Sequence, residues 1–563
     1  MKNFYIEKFD FTQPKVLENE FIKLLEEPID TVEKMEDWLK RQSLLYDAIE
    51  EGLSGHYIDF QCHSDSEEAK KLMEHDQMII EPLFKKYDAL LDDKILDTPI
   101  KDELDKDYYA QFLKMKENAK DLFREKNVQL EIEEDRLATE YFEITGSLTV
   151  DWNGEETTLS QLRTYFEDPD RETRKKAYLL FSEAFKSKED ELQKIMSQLI
   201  NLRQKKADNA DLPNYRDYMF KKYERFDYTP DDCKQLAEAI QKHVTPIKKK
   251  LQEKHKSELN VDSFKPWDIS GVPKGQERLK PFLSSKELID GSTKIFNNLD
   301  PRFAELITKM NENGMLDLDT RKGKAPGGFC SPLPVSELSF IFMNSANSHS
   351  DLVTLLHEMG HCIHNDFKKE QPLGSYKETP MESSELASMT MELFTMDQWD
   401  LFYDNEEDLL RAKRDQLKGI ISFLPSGMVV DQFQHWLYEN PNHTPEERNN
   451  KYFELLQTLN QGIVDYNDIE DLAKLQWLPI LHIFEVPFYY IEYVIAQLGA
   501  VQMYKQYCEN PDKALENYKK ALKLGSSKSL PEVFEAAGIK FDFSEKTIKE
   551  LMAFIEDKLS ELD

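Results

Sequence analysis

With 563 residues, 40% hydrophobic and 11% aromatic, the chain carries enough core-forming side chains to fold throughout and is too long for one compact core. Lys+Arg 73 against Asp+Glu 107 leaves a net charge of −34, a field that repels phosphate backbones and anionic headgroups. Nucleic acid and membrane partners are therefore not expected, and the acid surplus, which keeps a protein soluble, carries no substrate preference.

The N-terminal stretch MKNFYIEKFDFTQPKVLENEF has no apolar core of signal-peptide length, and no later run approaches the ~18 apolar residues of a membrane span. The five cysteines (Cys62, Cys233, Cys330, Cys362, Cys508) are widely spaced without a CxxC pair. That pattern suggests neither a disulfide framework nor a cysteine-type zinc site, fits a reducing compartment, and makes a cytoplasmic location the expectation.

Along the chain, LTVDWNGEETTL (148–159) alternates apolar and polar residues around Asn153-Gly154, a strong hairpin signal. In EDPDRETRKKAY (167–178), Asp168 or Asp170 can cap a new helix, and a change of domain near residue 170 is expected. LFSEAFKSKEDELQKIMSQLINL (180–202) repeats apolar residues at three- and four-residue steps and reads as amphipathic helix, as does most of the chain. The class is mainly α. FCSPLPVSELSFIFMNS (329–345), after the loop GKAPGGF, carries Phe340, Ile341 and Phe342 in a β-prone run and reads as a strand leading almost directly into the next helix.

That helix contains LLHEMGHCIH (355–364). Ser348 or Ser350 can cap it, and Leu352, Leu355, Leu356, Met359 and Ile363 follow a 3.6-residue period, so it needs no metal to form. His357 and His361, four residues apart, present two imidazoles on one face, and Glu358 between them can act as general base toward a metal-bound water. His364 shares the face but lies roughly 10 Å from His357 along the axis. It cannot share the ion, and reads as a polar wall or a structural histidine. HExxH alone arises by chance in about one or two of a hundred chains this long, so a third ligand must be found.

KETPMESSELASMTMELF (377–394) offers Glu378, Glu382, Glu385 and Glu392. Thr379-Pro380-Met381-Glu382 reads as a capping box, which occupies Glu382 and leaves Glu385 free to face inward. Glu392, two turns further on, is placed to hydrogen-bond a liganding histidine. Phe367, where a metzincin would have its third histidine, excludes that class.

With these residues in view, the chain resembles the thimet oligopeptidase and oligoendopeptidase F family of zinc metallopeptidases, most closely the bacterial oligoendopeptidase F branch. The family's HExGH is matched by His357-Glu358-Met359-Gly360-His361, and its ExxSxxxE by ELASMTME from Glu385 to Glu392. A histidine followed by a loop and two tyrosines three residues apart is similar too: His482 with Tyr490 and Tyr493. The loop is one residue shorter than in the thimet branch and has Pro487 where that branch has glycines, so the register leaves open whether Tyr489 or Tyr490 faces the substrate.

The resemblance implies one zinc ion held by His357, His361 and Glu385, with Glu358 as general base and Tyr493, His482 and Tyr490 steadying the scissile carbonyl and the substrate backbone. It implies a large, mainly α, bilobed helical shell around a deep channel, with a small β-sheet beside the zinc-binding helix and an edge strand against which an extended peptide adds. Residues 1–170 would form an N-terminal helical domain and 171–563 the zinc-dependent catalytic domain. The expected activity is hydrolysis of internal bonds in short oligopeptides. The rivals are a helical metallo-carboxypeptidase or dipeptidyl carboxypeptidase and a non-catalytic peptide-binding shell.

Overall fold

The structure, a computed structural model, describes residues 10–325 and 327–562; the start of the N-terminal stretch and Pro326 of GKAPGGF lie outside them. Helices dominate, with two small sheets. Among the described residues no helix is long and apolar enough to cross a membrane.

The helices needed below are α1 (Val32–Cys62), α2 (Glu125–Gly146), α3 (Glu189–Asn209), α4 (Pro230–His243), α5 (His349–Lys368), α6 (Met381–Phe394), α7 (Glu406–Glu439), α8 (Leu481–Glu485) and α9 (Tyr490–Glu509). The 180–202 segment breaks into two helices rather than one. Arg171–Lys186 ends where Ser187 Oγ turns back onto Ala184 O, and Glu189, Asp190 and Glu191 start α3, where acidic side chains favour a helix N-terminus. Asp170, at the expected boundary, accepts from the Thr173 N–H at 2.9 Å and caps the first of these. Buried apolar residues form one large core running from Leu137 to Leu559 and a second made of residues 17–112 with Leu373 and Tyr376.

Strands β1 (Thr149–Trp152) and β2 (Glu155–Thr158) form the hairpin expected around Asn153-Gly154, both of whose φ angles are positive, as a type I′ turn requires. The 329–345 segment is two strands, β4 (Phe329–Leu333) and β5 (Leu338–Ser345), because Pro334 and a left-handed Glu337 turn the chain back on itself. β3 (Leu316–Asp319), which the sequence reading missed, pairs parallel to β5, giving the order β3-β5-β4 with β4 at an edge. The sheet is tied to α5 by Asn365, which donates to Ser339 Oγ at 3.0 Å, and by Cys330 Sγ, 3.5 Å from Cys362 Sγ.

A buried charge network joins the helical core to the turn before α9. Arg203 on α3 donates to Glu134 on α2 (2.6 Å), to the Tyr438 hydroxyl (2.7 Å) and to the carbonyls of Ile483 (3.2 Å) and Phe484 (2.5 Å) on α8. Lys206 adds a second contact to Glu134 at 2.7 Å. Burial works against ionisation of Glu134, but the two cations outweigh it and hold the carboxyl well below the usual range.

Candidate metal centre

Ser348 caps α5 in a reciprocal box with Asp351, so the helix starts where the sequence allowed. α6 does not start as expected: its N-cap is Pro380, without a side-chain cap bond, and no capping box forms. Glu382 is buried instead, accepting from the Tyr228 hydroxyl at 2.5 Å with the Arg225 guanidinium 3.8 Å away. Burial beside a phenol and a cation uses the carboxylate more strongly than a solvent-facing cap would.

Gly360 lets α5 and α6 touch backbone to backbone. A Cβ added there would lie 2.5 Å from Ser388 Cα and 2.9 Å from Ala387 O, so only glycine fits the crossing. That approach brings Glu385 against the histidine face: its Oε2 is 3.3 Å from His357 Nε2 and 3.8 Å from His361 Nε2. One donor atom from each of the three residues lies within 4.8 Å of the others. Glu392 Oε1 is 2.7 Å from His357 Nδ1, which leaves Nε2 free to face the group, and Gln416 donates to the other Glu392 oxygen at 2.7 Å. Ser384 Oγ lies 3.3 Å from His361 Nδ1.

The electrostatics ask for positive charge. Burial lowers the pKa of His357, but Glu385 and Glu392 outweigh it and raise it well above the usual imidazole value. Burial pushes His361 down to about 4, leaving a neutral ring able to donate its electron pair. Two imidazoles and a carboxylate are a donor set that suits zinc, with room for one more ligand on the open side.

The open side is a cavity of about 670 Å³, lined by His357, Glu358, His361, Glu385, Tyr489 and Tyr493 and by Gly328, Phe329, Cys330 and Leu333 of the edge-strand region. Burial pushes Glu358 up to about 7, helped by the charges of Glu385 and Glu392. Tyr493 and His482 meet, hydroxyl to Nε2, at 3.4 Å. The structure brings Tyr489 rather than Tyr490 to Glu385: the Tyr489 hydroxyl donates to Glu385 Oε1 at 2.7 Å, whereas Tyr490, the expected residue, packs edge-on against His482 at 5.0 Å and does not line the cavity.

The backbone of Phe488 decides this register. It adopts a left-handed φ of 67°, its N–H donates to Gln434 Oε1 at 2.7 Å, and its carbonyl accepts from Arg225 at 2.5 Å. His364 lies outside the group, 1% exposed, with neither ring nitrogen hydrogen-bonded. A larger cavity, about 1460 Å³, opens at the start of α5 beside His349, but none of His357, His361 and Glu385 lines it.

The model of peptidase family M3 matches residues 164–553 of the chain. Oligopeptidase PepF of Bacillus subtilis is 25% identical over 333 residues, 58% of this chain and 48% of that protein, so the match spans about half the relative's length. An oligoendopeptidase F homolog of Borreliella burgdorferi is 25% identical over 72% of this chain and 68% of its own. Among solved structures, PZ peptidase A with an inhibitor superposes with a TM-score of 0.93 at 27% identity over 98% of both chains.

Proposed function

Because the chain belongs to peptidase family M3, we propose that it is a zinc-dependent endopeptidase hydrolysing internal bonds of short oligopeptides. The observation that carries this reading is the convergence of His357, His361 and Glu385, one donor atom each within 4.8 Å, at a cavity that also holds Glu358. A single zinc ion, held by those three side chains, supplies a Lewis acid that polarises the scissile carbonyl and acidifies a water.

The chain's own residues do the rest. Glu358 takes the proton of the attacking water and passes it to the leaving amine; a carboxylate pushed up to about 7 by burial suits proton transfer near neutrality. Tyr493 donates a hydrogen bond to the oxyanion as it forms. His482, which burial pushes down to about 4 and so keeps neutral, donates from Nε2 to that hydroxyl's oxygen and leaves its proton for the oxyanion. Tyr489 holds the Glu385 carboxylate in place, and Tyr490, the residue expected to steady the substrate backbone, packs against His482 instead. The extended peptide adds to the free edge of β4, whose residues line the cavity.

The family match beginning at residue 164 supports residues 171–563 as the catalytic domain, with Leu137 to Leu162 of the preceding region packed into the same core. A cytoplasmic location is supported by five free cysteines. The test is a mixture of short peptides, half of them C-terminally amidated, with cut sites read by mass spectrometry. Internal cleavage should be indifferent to amidation, and Glu358→Gln should lower kcat by about 10²- to 10⁴-fold while binding zinc as the wild type does. Cleavage confined to free C-termini, or full activity in the variant, overturns the reading.

A further inference from the structure

We propose that Cys233, Asp431 and His435 form a second, buried metal site of three protein donors for a divalent cation of zinc-like softness. Asp431 and His435 stand four residues apart on α7, the spacing that puts two side chains on one helix face, and Cys233 faces them from α4. One donor atom from each lies within 4.8 Å of the others. All three are buried, at 0%, 2% and 1% exposure for Asp431, His435 and Cys233.

Three of the polar atoms in this group are unsatisfied. Neither ring nitrogen of His435 has a hydrogen-bond partner, nor does Asp431 Oδ1. His435 Nε2 comes only to 3.5 Å from Asp431 Oδ2, which already accepts from Gln432 at 2.9 Å. The His435 ring packs edge-on against Phe488 at 5.4 Å and Phe220 at 6.2 Å, aromatic neighbours that offer no acceptor. Buried imidazoles and carboxylates are paired in the large majority of proteins, so this group is short of a partner.

A dication would partner Asp431 Oδ1 and one of the two His435 ring nitrogens, with Cys233 as the third protein donor. It takes an electron pair from the imidazole, the carboxylate and the thiolate, and with two anionic donors the site is neutral overall, as a fully buried position demands. The nearby Arg225 pairs with Glu492 and Glu382 rather than with Asp431. A thiolate, an imidazole and a carboxylate select a zinc-like ion over magnesium or calcium. Binding releases the Cys233 proton to solvent. The ion would join α4 to α7 beside Gln434, which holds the Phe488 N–H, and so would brace the loop that sets the tyrosine register.

The test uses the whole protein stripped of metal and reloaded with cobalt(II), with metal per chain measured by mass spectrometry and thiolate coordination read from the near-ultraviolet thiolate-to-cobalt charge-transfer band. The wild type should bind two equivalents and show the band. Glu385→Ala should lose one equivalent and keep the band, which tests the site without touching any of its residues. Cys233→Ser should lose the band. The proposal is overturned by a wild type that binds one equivalent removed by Glu385→Ala, by two equivalents without a band, or by a band that survives in Cys233→Ser and so belongs to another thiol.

Discussion

The α5–α6 pair and the 481–490 loop bring side chains to one cavity by opposite means. In the helix pair, His357, Glu358 and His361 are placed by covalent spacing, and a single glycine lets Glu385 reach them. In the loop, a left-handed Phe488 is held by Gln434 and Arg225, and the turn before it by Arg203, all distant in sequence. Periodicity positions a group cheaply; a loop position must be fixed by partners from elsewhere, against a left-handed cost of about 1–2 kcal/mol.

That contrast breaks most sharply at the tyrosines. Tyr493→Phe should lower kcat by about 10²- to 10³-fold with little change in KM, the signature of a donor used in the transition state. Tyr489→Phe should cost less and weaken zinc retention, and Tyr490→Phe should cost least. Steady-state kinetics on one peptide rank all three, and an effect of Tyr490→Phe exceeding that of Tyr489→Phe would reverse the register.

The loop's support is tested next. Glu134→Gln leaves Arg203 buried without its anion and Lys206 with only the longer contact to Glu131 (3.4 Å), and should destabilise the protein by about 3–5 kcal/mol, measured by denaturant unfolding. Glu134 has its folded pKa depressed, so its contribution is present above the unfolded value, about 4.3, and is lost as pH falls toward the folded one. The gap between wild type and variant should narrow on acidification below that value; a gap that widens contradicts the assignment.

The smallest effect concerns the helix crossing. Gly360→Ala pushes a methyl into the Ser388 backbone and should cost about 1–3 kcal/mol, with zinc occupancy falling alongside thermal stability. Unchanged stability with normal zinc content would mean that the crossing is not what seats Glu385.

Much of the site was legible because helices repeat locally. His357, His361 and Ser348 needed only the 3.6-residue period and a capping residue, and the hairpin needed only Asn153-Gly154. The ends of elements were harder to read. The 329–345 stretch split at Pro334, the 180–202 stretch split at Ser187, and Glu382 left a solvent-facing cap for a buried partner because Tyr228 and Arg225 waited there. β3 is short and finds its pairing only beside β5.

By itself the sequence determined the helical class, from periodicity along most of the chain, and the histidine face with Glu358 beside it, from spacing along one helix. Tertiary structure alone decided that Tyr489 and not Tyr490 meets Glu385, and that Cys233 meets Asp431 and His435. Both depend on contacts between segments far apart in the chain, where a rotation of one residue redirects a side chain and no local period records it.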